Sequence, residues 1–294
     1  MYNLNQILKG VANPKRGFIE LYSRYKMRQI HQLGDGILSK DWDNLIILDA
    51  CRYDIFEDLN TLTGELESFT SLGSHTGEFL DRNFSGRSVA DTVYIFAKPN
   101  PAAIDAEFHD VFNIWREKEG TAAEDWGRER FVSNELMTKR VFEIAEEYPH
   151  KRIIAHYTPP HLPFIGPKGK ELHEQYTWNI SEFYDVATEG DIPLERIWEA
   201  YRENLKVTLP HVKRLDEQLT GKTVVTSDHG QAFGEWGVYW HPPGVYIDVL
   251  RKVPWLEMPY DRRKKIADGN ANKDITDYHI KDISKQLEYL GYKD

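Results

Sequence analysis

The sequence predicts an α/β fold with a mostly parallel central sheet and helices on both faces. Three observations carry this expectation. Short apolar runs of strand length recur at 44–48, 92–97, 152–157 and 222–226. Longer stretches with helical spacing, at 133–148 and 193–219, lie between or beside them. Each apolar run ends in a polar or Pro-rich segment that stops it. Strands alternating with helices bury both sheet faces, so such strands read as continuous hydrophobic runs.

From the N-terminus, residues 17–33 read as an amphipathic helix carrying Phe18, Leu21, Tyr22 and Tyr25 with several basic residues. Packing on the domain is the expectation, and a membrane-surface or partner role is the alternative. The run 44–48 is a buried strand ending in Asp49, and 92–97 is a second strand, stopped by the KPNP string at 98–101. A third is read at 111–115. Ser133 is placed to cap a helix running to Tyr148, with Leu136, Val141, Ile144 and Ala145 on one face. The strand at 152–157 is broken by Thr158 and two prolines. The segment 166–192 is polar and reads as an irregular loop over the site. A long helix at 193–219 passes Pro210, where a kink is expected, and Gly221 separates it from the strand at 222–226. The tail at 276–292 has a helical pattern. The chain is read as a single unit: an N-terminal helical extension at 1–42, a core at 43–257 and a helical tail at 258–294.

The 294 residues suffice for a large core. The formal net charge of -10 argues against nonspecific binding to nucleic acid or anionic membranes. It does not exclude an anionic substrate, because a bound cation reverses the local sign. The single cysteine, Cys51, rules out an intrachain disulfide. Met1 to Gly10 lack a signal-peptide core, and no stretch has the length of a membrane span, so the expectation is a cytoplasmic protein without a transmembrane segment. The glycosylation-type matches at Asn83 and Asn179 are then chance. The oligomeric state is not legible.

Functional groups in an open α/β sheet gather beyond the carboxyl ends of its strands. Asp49 follows one strand, and Asp228 and His229 follow another, with Gly230 allowing the chain to turn. Carboxylates and an imidazole suit zinc or manganese. Asp49 alone would read as a turn former or helix cap; the combination points to a metal. His161 and His241 lie in Pro-rich loops after strands and are read as functional. His156, inside its strand, is read with His109, His150, His173 and His211 as a structural histidine. The segment 68–77, SFTSLGSHTG, is dense in hydroxyls and can open a helix, where a hydroxyl feels positive potential. Composition alone prefers a plain Ser/Thr cap.

The ordered set of motifs resembles the sulfatase-like branch of the alkaline phosphatase superfamily. The string TSDHGQAFGEWG at 226–237 with trailing His241, LDACRYD at 48–54, and HYTPPHLPF at 156–164 carry the resemblance, which spans about residues 43–257. The stretches DTVY (91–94), KRI (151–153), AYREN (200–204) and VPW (253–255) are similar to those of small archaeal sulfatase-like proteins. The resemblance implies that Asp49, Asp228 and His229 bind a main divalent metal, zinc or manganese in preference to calcium, with Ser71 completing its shell. It implies Ser71 as nucleophile, because SLGSH at 71–75 falls where sulfatases carry their Cys-x-Pro-Ser-Arg segment, with Thr70 as fallback. It implies that His161 and His241 hold a second metal or the substrate and that Arg52 braces a carboxylate or meets substrate charge. The departures are the missing Cys, Pro and Arg of the nucleophile segment, and Ala50 where arylsulfatases carry a second calcium-binding Asp.

The expected activity is metal-dependent hydrolysis or transfer of phosphate or sulfate esters, from small molecules or glycans, through a covalent seryl ester. The alternatives are a true sulfatase on sulfated glycans and a catalytically silent binding protein of the same fold. Tyr157, Phe164, Trp236 and Trp240 are placed either to stack on a sugar or to pack the loops.

Overall fold

A computed structural model of the chain describes residues 14–30, 36–98, 106–116, 131–176 and 180–267. Its strands are β1 (Asn44–Leu48), β2 (Glu65–Thr70), β3 (Arg87–Phe96), β4 (Ala106–Asn113), β5 (Arg152–Tyr157), β6 (Thr223–Thr226), β7 (Ala232–Phe233), β8 (Tyr239–Trp240) and β9 (Lys252–Glu257). Its helices are α1 (Pro14–Ile30), α2 (Tyr53–Leu59), α3 (Thr76–Phe84), α4 (Asn134–Glu147), α5 (Pro167–Tyr176), α6 (Ile180–Glu189), α7 (Leu194–Gln218) and the single turn α8 (Asp248–Arg251).

Seven strands form one sheet in the order β2-β9-β6-β1-β5-β3-β4, and β7 and β8 form a small hairpin. The pairs β6–β1, β1–β5, β5–β3 and β3–β4 are parallel, whereas β9 runs antiparallel to both of its neighbours, β6 and β2. The mostly parallel α/β sheet is therefore the observed architecture, with an antiparallel edge that the apolar runs did not announce. Strand β2 is a mostly polar, exposed edge with only Leu66 and Phe69 apolar, and β9 carries Pro254, a residue that argues against a strand.

Alternation along the strands sorts the core into two layers. Ile46, Leu48, Val93, Ile95, Ile153 and Ala155 pack under α2, α4 and α7. Leu45, Ile47, Tyr94, Ile154 and Val224 pack on the other face against Phe79, Leu80 and Phe84 of α3. Every residue of β1 is buried, as a strand covered on both faces requires.

Several local expectations meet the structure directly. Ser133 Oγ accepts from the Leu136 amide 3.2 Å away and caps α4. Helix α7 runs through Pro210. The strand read at 111–115 is β4, which begins earlier and ends at Asn113. The segment 166–192 is not an irregular loop. It forms α5 and α6, because Leu172, Phe183 and Ala187 are buried in the main core while its polar residues face outward. Asn83 is buried and accepts from the Ile37 amide at 3.0 Å, so it is a structural side chain. The helix read at 276–292 lies outside the described residues.

Candidate active site

The carboxyl ends of β1, β2, β3, β5 and β6 meet at one edge of the sheet, and each delivers side chains there. Asp49 leaves β1, Lys98 follows β3, His156 is the penultimate residue of β5, and Asp228 and His229 follow β6. Asp49, Asp228 and His229 are fully buried and His156 nearly so.

The turn after β1 is tight. Ala50 sits at φ +58°, in the left-handed region that non-glycine residues rarely adopt. Its amide donates to Asp228 Oδ1 at 3.0 Å, and the His229 amide donates to the same oxygen at 2.9 Å. Asp228 Oδ1 is thus held by backbone, which leaves Oδ2 aimed into the site. Oδ2 lies 2.7 Å from Thr76 Oγ1, 3.4 Å from His229 Nε2 and 3.7 Å from His156 Nε2.

Both imidazoles present Nε2 inward. His229 Nδ1 donates to the Gly230 carbonyl at 2.8 Å, which puts the lone pair on Nε2, 3.4 Å from Asp49 Oδ1. His156 Nδ1 is 2.7 Å from the Tyr94 hydroxyl, and its Nε2 has no hydrogen-bond partner among the described residues. Neither oxygen of Asp49 is hydrogen-bonded either; Oδ2 meets the Lys98 ammonium as an ion pair. Buried polar atoms left unpaired in this way are costly unless something else satisfies them.

Burial pushes the His156 imidazole down to about 3 and also lowers His229, so both rings are neutral and able to coordinate. Burial alone would raise the Asp228 carboxyl. The groups that face it, among them the Lys98 ammonium and the Thr76 hydrogen bond, outweigh it and hold Asp228 ionised, well below the usual carboxylate range. Asp49, His156 and Asp228 offer ligand atoms all within 4.8 Å of one another. Two carboxylates, two neutral imidazoles with fixed outer partners, and orphaned inward atoms fit a divalent cation.

Thr76 is the hydroxyl facing this cluster. It is the first residue of α3, whose N-cap is His75; the His75 Nδ1 accepts from the Gly77 amide at 3.1 Å. Thr76 Oγ1 lies 3.3 Å from His229 Nε2 and 3.1 Å from Lys98 Nζ, and its side chain is partly exposed. Burial brings the Lys98 ammonium down to about 8.

Ser71 is placed differently from the expectation. It is wholly buried, its Oγ donates to the main-chain carbonyl of Asp228, and that Oγ accepts from the Gly73 amide at 3.1 Å. Its amide and carbonyl are tied to Arg251, each at 2.8 Å. Ser71 therefore ties the chain leaving β2 to Arg251 at the end of α8, just before β9, and its hydroxyl is spent on backbone. Thr70 is exposed on the edge strand.

His161 and His241 do stand beside the cluster. Their rings are 5.0 Å apart, and His241 lies 4.7 Å from the His229 ring. Burial lowers both, His161 to about 3. His161 Nδ1 donates to the Leu162 carbonyl at 2.9 Å, so its Nε2 accepts from the Tyr184 hydroxyl at 3.0 Å. His241 Nδ1 is 2.6 Å from Gln231 Oε1. The His161 loop is fixed by Asn204, whose amide reaches the carbonyls of Pro160, His161 and Pro163.

Arg52 turns away from the metal-type carboxylates. It grips Asp54 through two hydrogen bonds, 2.6 and 2.9 Å, pairs with Glu235 at 2.5 Å and lies over the Trp198 ring. Of the loop aromatics, Tyr157 and Phe164 are buried in the core. Trp240 packs on Phe183 and Tyr184, and Trp236 packs on Phe18 and Tyr22 of α1.

The sequence reading set His156 aside and did not single out Lys98 or Thr76. A signal existed for His156, a titratable residue in an otherwise apolar buried strand. For Thr76 the signal was its place at the start of an amphipathic helix. For Lys98 there was none beyond its position after a strand.

No protein-family model matches the sequence, and no curated protein does. Among solved structures, the chain is similar to the C-terminal periplasmic domain of phosphoethanolamine transferase EptC from Campylobacter jejuni (14% identity, 73% of this chain and 77% of that one, TM-score 0.45). It is similar also to the corresponding domain of EcEptC from Escherichia coli in complex with Zn (12%, 76% and 74%, TM-score 0.47). A third is phosphonate monoester hydrolase SpPMH from Silicibacter pomeroyi (12%, 76% and 69%, TM-score 0.45). Among the described residues, no helix is long and apolar enough to cross a membrane.

Proposed function

We propose that this chain is a divalent-metal-dependent hydrolase or transferase of phosphate esters or phosphodiesters that works through a covalent ester on Thr76. The observation that carries the reading is the Thr76 hydroxyl, 2.7 Å from Asp228 Oδ2 at the mouth of a buried Asp49, His156, Asp228 and His229 cluster. Those four residues would hold the ion, with zinc or manganese suiting the mixed carboxylate and imidazole donors better than calcium. Bound there, the ion would lower the pKa of a hydroxyl and offset the charge of the transferred group.

The chain's own residues supply the rest. Asp228 Oδ2 accepts the hydrogen bond of the Thr76 hydroxyl and orients it, and as that hydroxyl attacks, its proton passes to the departing oxygen. Thr76 Oγ1 forms the bond to phosphorus, and the bond from phosphorus to the departing oxygen breaks. The N-terminus of α3 favours negative charge at Thr76. Lys98 faces the developing negative charge with an ammonium. His241 is a neutral imidazole placed to take the proton of the water or alcohol whose oxygen then bonds to phosphorus, while the bond from phosphorus to Thr76 Oγ1 breaks and Oγ1 regains a proton.

An unmodified hydroxyl favours phosphate over sulfate esters. Sulfatase-type maturation starts from a side chain at the nucleophile position, and the only cysteine, Cys51, is buried with its Sγ against the Arg52 carbonyl. The test is turnover of p-nitrophenyl phosphate, bis-p-nitrophenyl phosphate and p-nitrophenyl sulfate by wild type, Thr76→Ala and Ser71→Ala in the presence of zinc or manganese. Loss by at least about a thousandfold in Thr76→Ala alone is expected. Full activity in Thr76→Ala would discard the reading.

A further inference from the structure

Helix α1 is apolar on two sides. Ile19 and Tyr22 pack inward on a small cluster of Ala232, Val238, Ile247 and Leu250. Phe18, Leu21 and Tyr25 point outward and are 58 to 59% exposed. Their spacing of three and four residues makes one stripe along the helix. Trp236, 47% exposed at φ +58°, extends the stripe: its ring lies 5.7 Å from Phe18. Of the seven large hydrophobic residues exposed among the described residues, four belong to α1 and a fifth is Trp236. Exposed apolar residues scattered singly are ordinary, but a contiguous aromatic stripe marks a surface that meets something.

Charge says what it meets. Within α1 stand Lys15, Arg16, Arg24, Lys26 and Arg28 against one acid, Glu20, in a chain of net charge -10. Lys26 is engaged with Asp248 of the body and Arg24 with Glu20. Lys15 and Arg28 are exposed near the two ends of the helix. Averaging over the chain hides this segregation, which is why net charge alone argues against an anionic surface. Aromatic rings with Leu between them, bordered by Lys and Arg, are the chemistry of a helix lying in the headgroup layer of an anionic bilayer. An acidic protein groove would complement the charge, but would not call for a convex row of three aromatic rings and Leu21 along one helix and its neighbouring loop.

We propose that α1 and Trp236 form a peripheral docking surface for anionic lipid membranes. The surface is independent of the reaction assigned to the Thr76 site, and no residue of it belongs to that site.

The test is flotation of the full chain with phosphatidylcholine vesicles and with vesicles containing phosphatidylglycerol. Wild type is expected to float with the anionic vesicles and to be released by added salt. The triple variant Phe18→Ser, Leu21→Ser, Tyr25→Ser should lose affinity by about tenfold or more while keeping its circular dichroism and melting temperature. A second variant, Lys15→Glu with Arg28→Glu, should lose anionic selectivity with the apolar stripe intact. Equal binding to neutral and anionic vesicles, or no binding to either, overturns the proposal. Concentration-dependent self-association of wild type that the triple variant abolishes, without vesicle binding, overturns it in favour of a second copy of the chain.

Discussion

The Thr76 hydroxyl stands 2.7 Å from Oδ2 of Asp228, while the other carboxylate oxygen of Asp228 is held by the amides of Ala50 and His229. The backbone thereby decides which oxygen of Asp228 faces Thr76. A threonine here also restricts χ1, which limits the wandering of the hydroxyl. Thr76→Ser is therefore expected to keep activity within about tenfold of wild type, with the loss mainly in kcat. Tandem mass spectrometry of peptides after quenching a turnover reaction should place the added phosphoryl group on Thr76 and not on Ser71.

His156 is expected to be a ligand, with Tyr94 as its outer partner. His156→Gln should lose stoichiometric metal by elemental analysis. Tyr94→Phe should keep the fold and weaken metal binding by about 10- to 100-fold, because the ring loses the contact that sets its orientation. Metal content unchanged in His156→Gln would remove it from the site.

Arg52 should act on stability and not on the chemical step. It is 5% exposed and pairs with Asp54 and Glu235, so Arg52→Met leaves Glu235 without its partner beside the turn after β7. A loss of about 1.5 kcal/mol in chemical denaturation is expected, since both carboxylates keep solvent contact, with KM for a small phosphodiester little changed. Arg52→Lys should recover only part, since an ammonium cannot reproduce the two-pronged contact with Asp54.

Lys98 gives a pH signature in the metal-free protein. Burial brings its ammonium down from 10.5 to about 8 in the folded state. Between those values the unfolded chain binds more protons than the folded one, so this group makes stability rise with pH from about 8 to about 10.5. Below pH 8 the cost of burying the charge is fully present, at most about 3 kcal/mol. Burial lowers Lys264 to about 8 as well, so the difference in stability between wild type and Lys98→Met, and not either curve alone, should rise across this range. Parallel curves would mean that Lys98 is not desolvated.

The strand ends were readable because burial on both faces leaves a simple trace, an apolar run cut short by an acid. That trace located Asp49, Asp228 and His229 at one sheet edge, and the structure gathers them there. The same trace hid His156. The sequence marks His156 only as a titratable residue in a buried strand, and nothing local shows that the side chain beside Tyr94 turns its Nε2 toward Asp228.

The nucleophile segment shows the limit most sharply. Ser68, Thr70, Ser71, Ser74 and Thr76 crowd nine residues, and the sequence by itself determined only that hydroxyls are abundant there. Which one faces the carboxylates was decided by the antiparallel pairing of β2 with β9. That pairing buries Ser71 against Arg251 and starts α3 five residues later, with Thr76 at its first turn. The sequence thus determined the α/β class and the strand ends where acidic and histidine side chains gather, because burial and periodicity are local. The tertiary structure alone decided the partner of each polar atom, because hydrogen bonds between residues some 150 positions apart leave no local pattern.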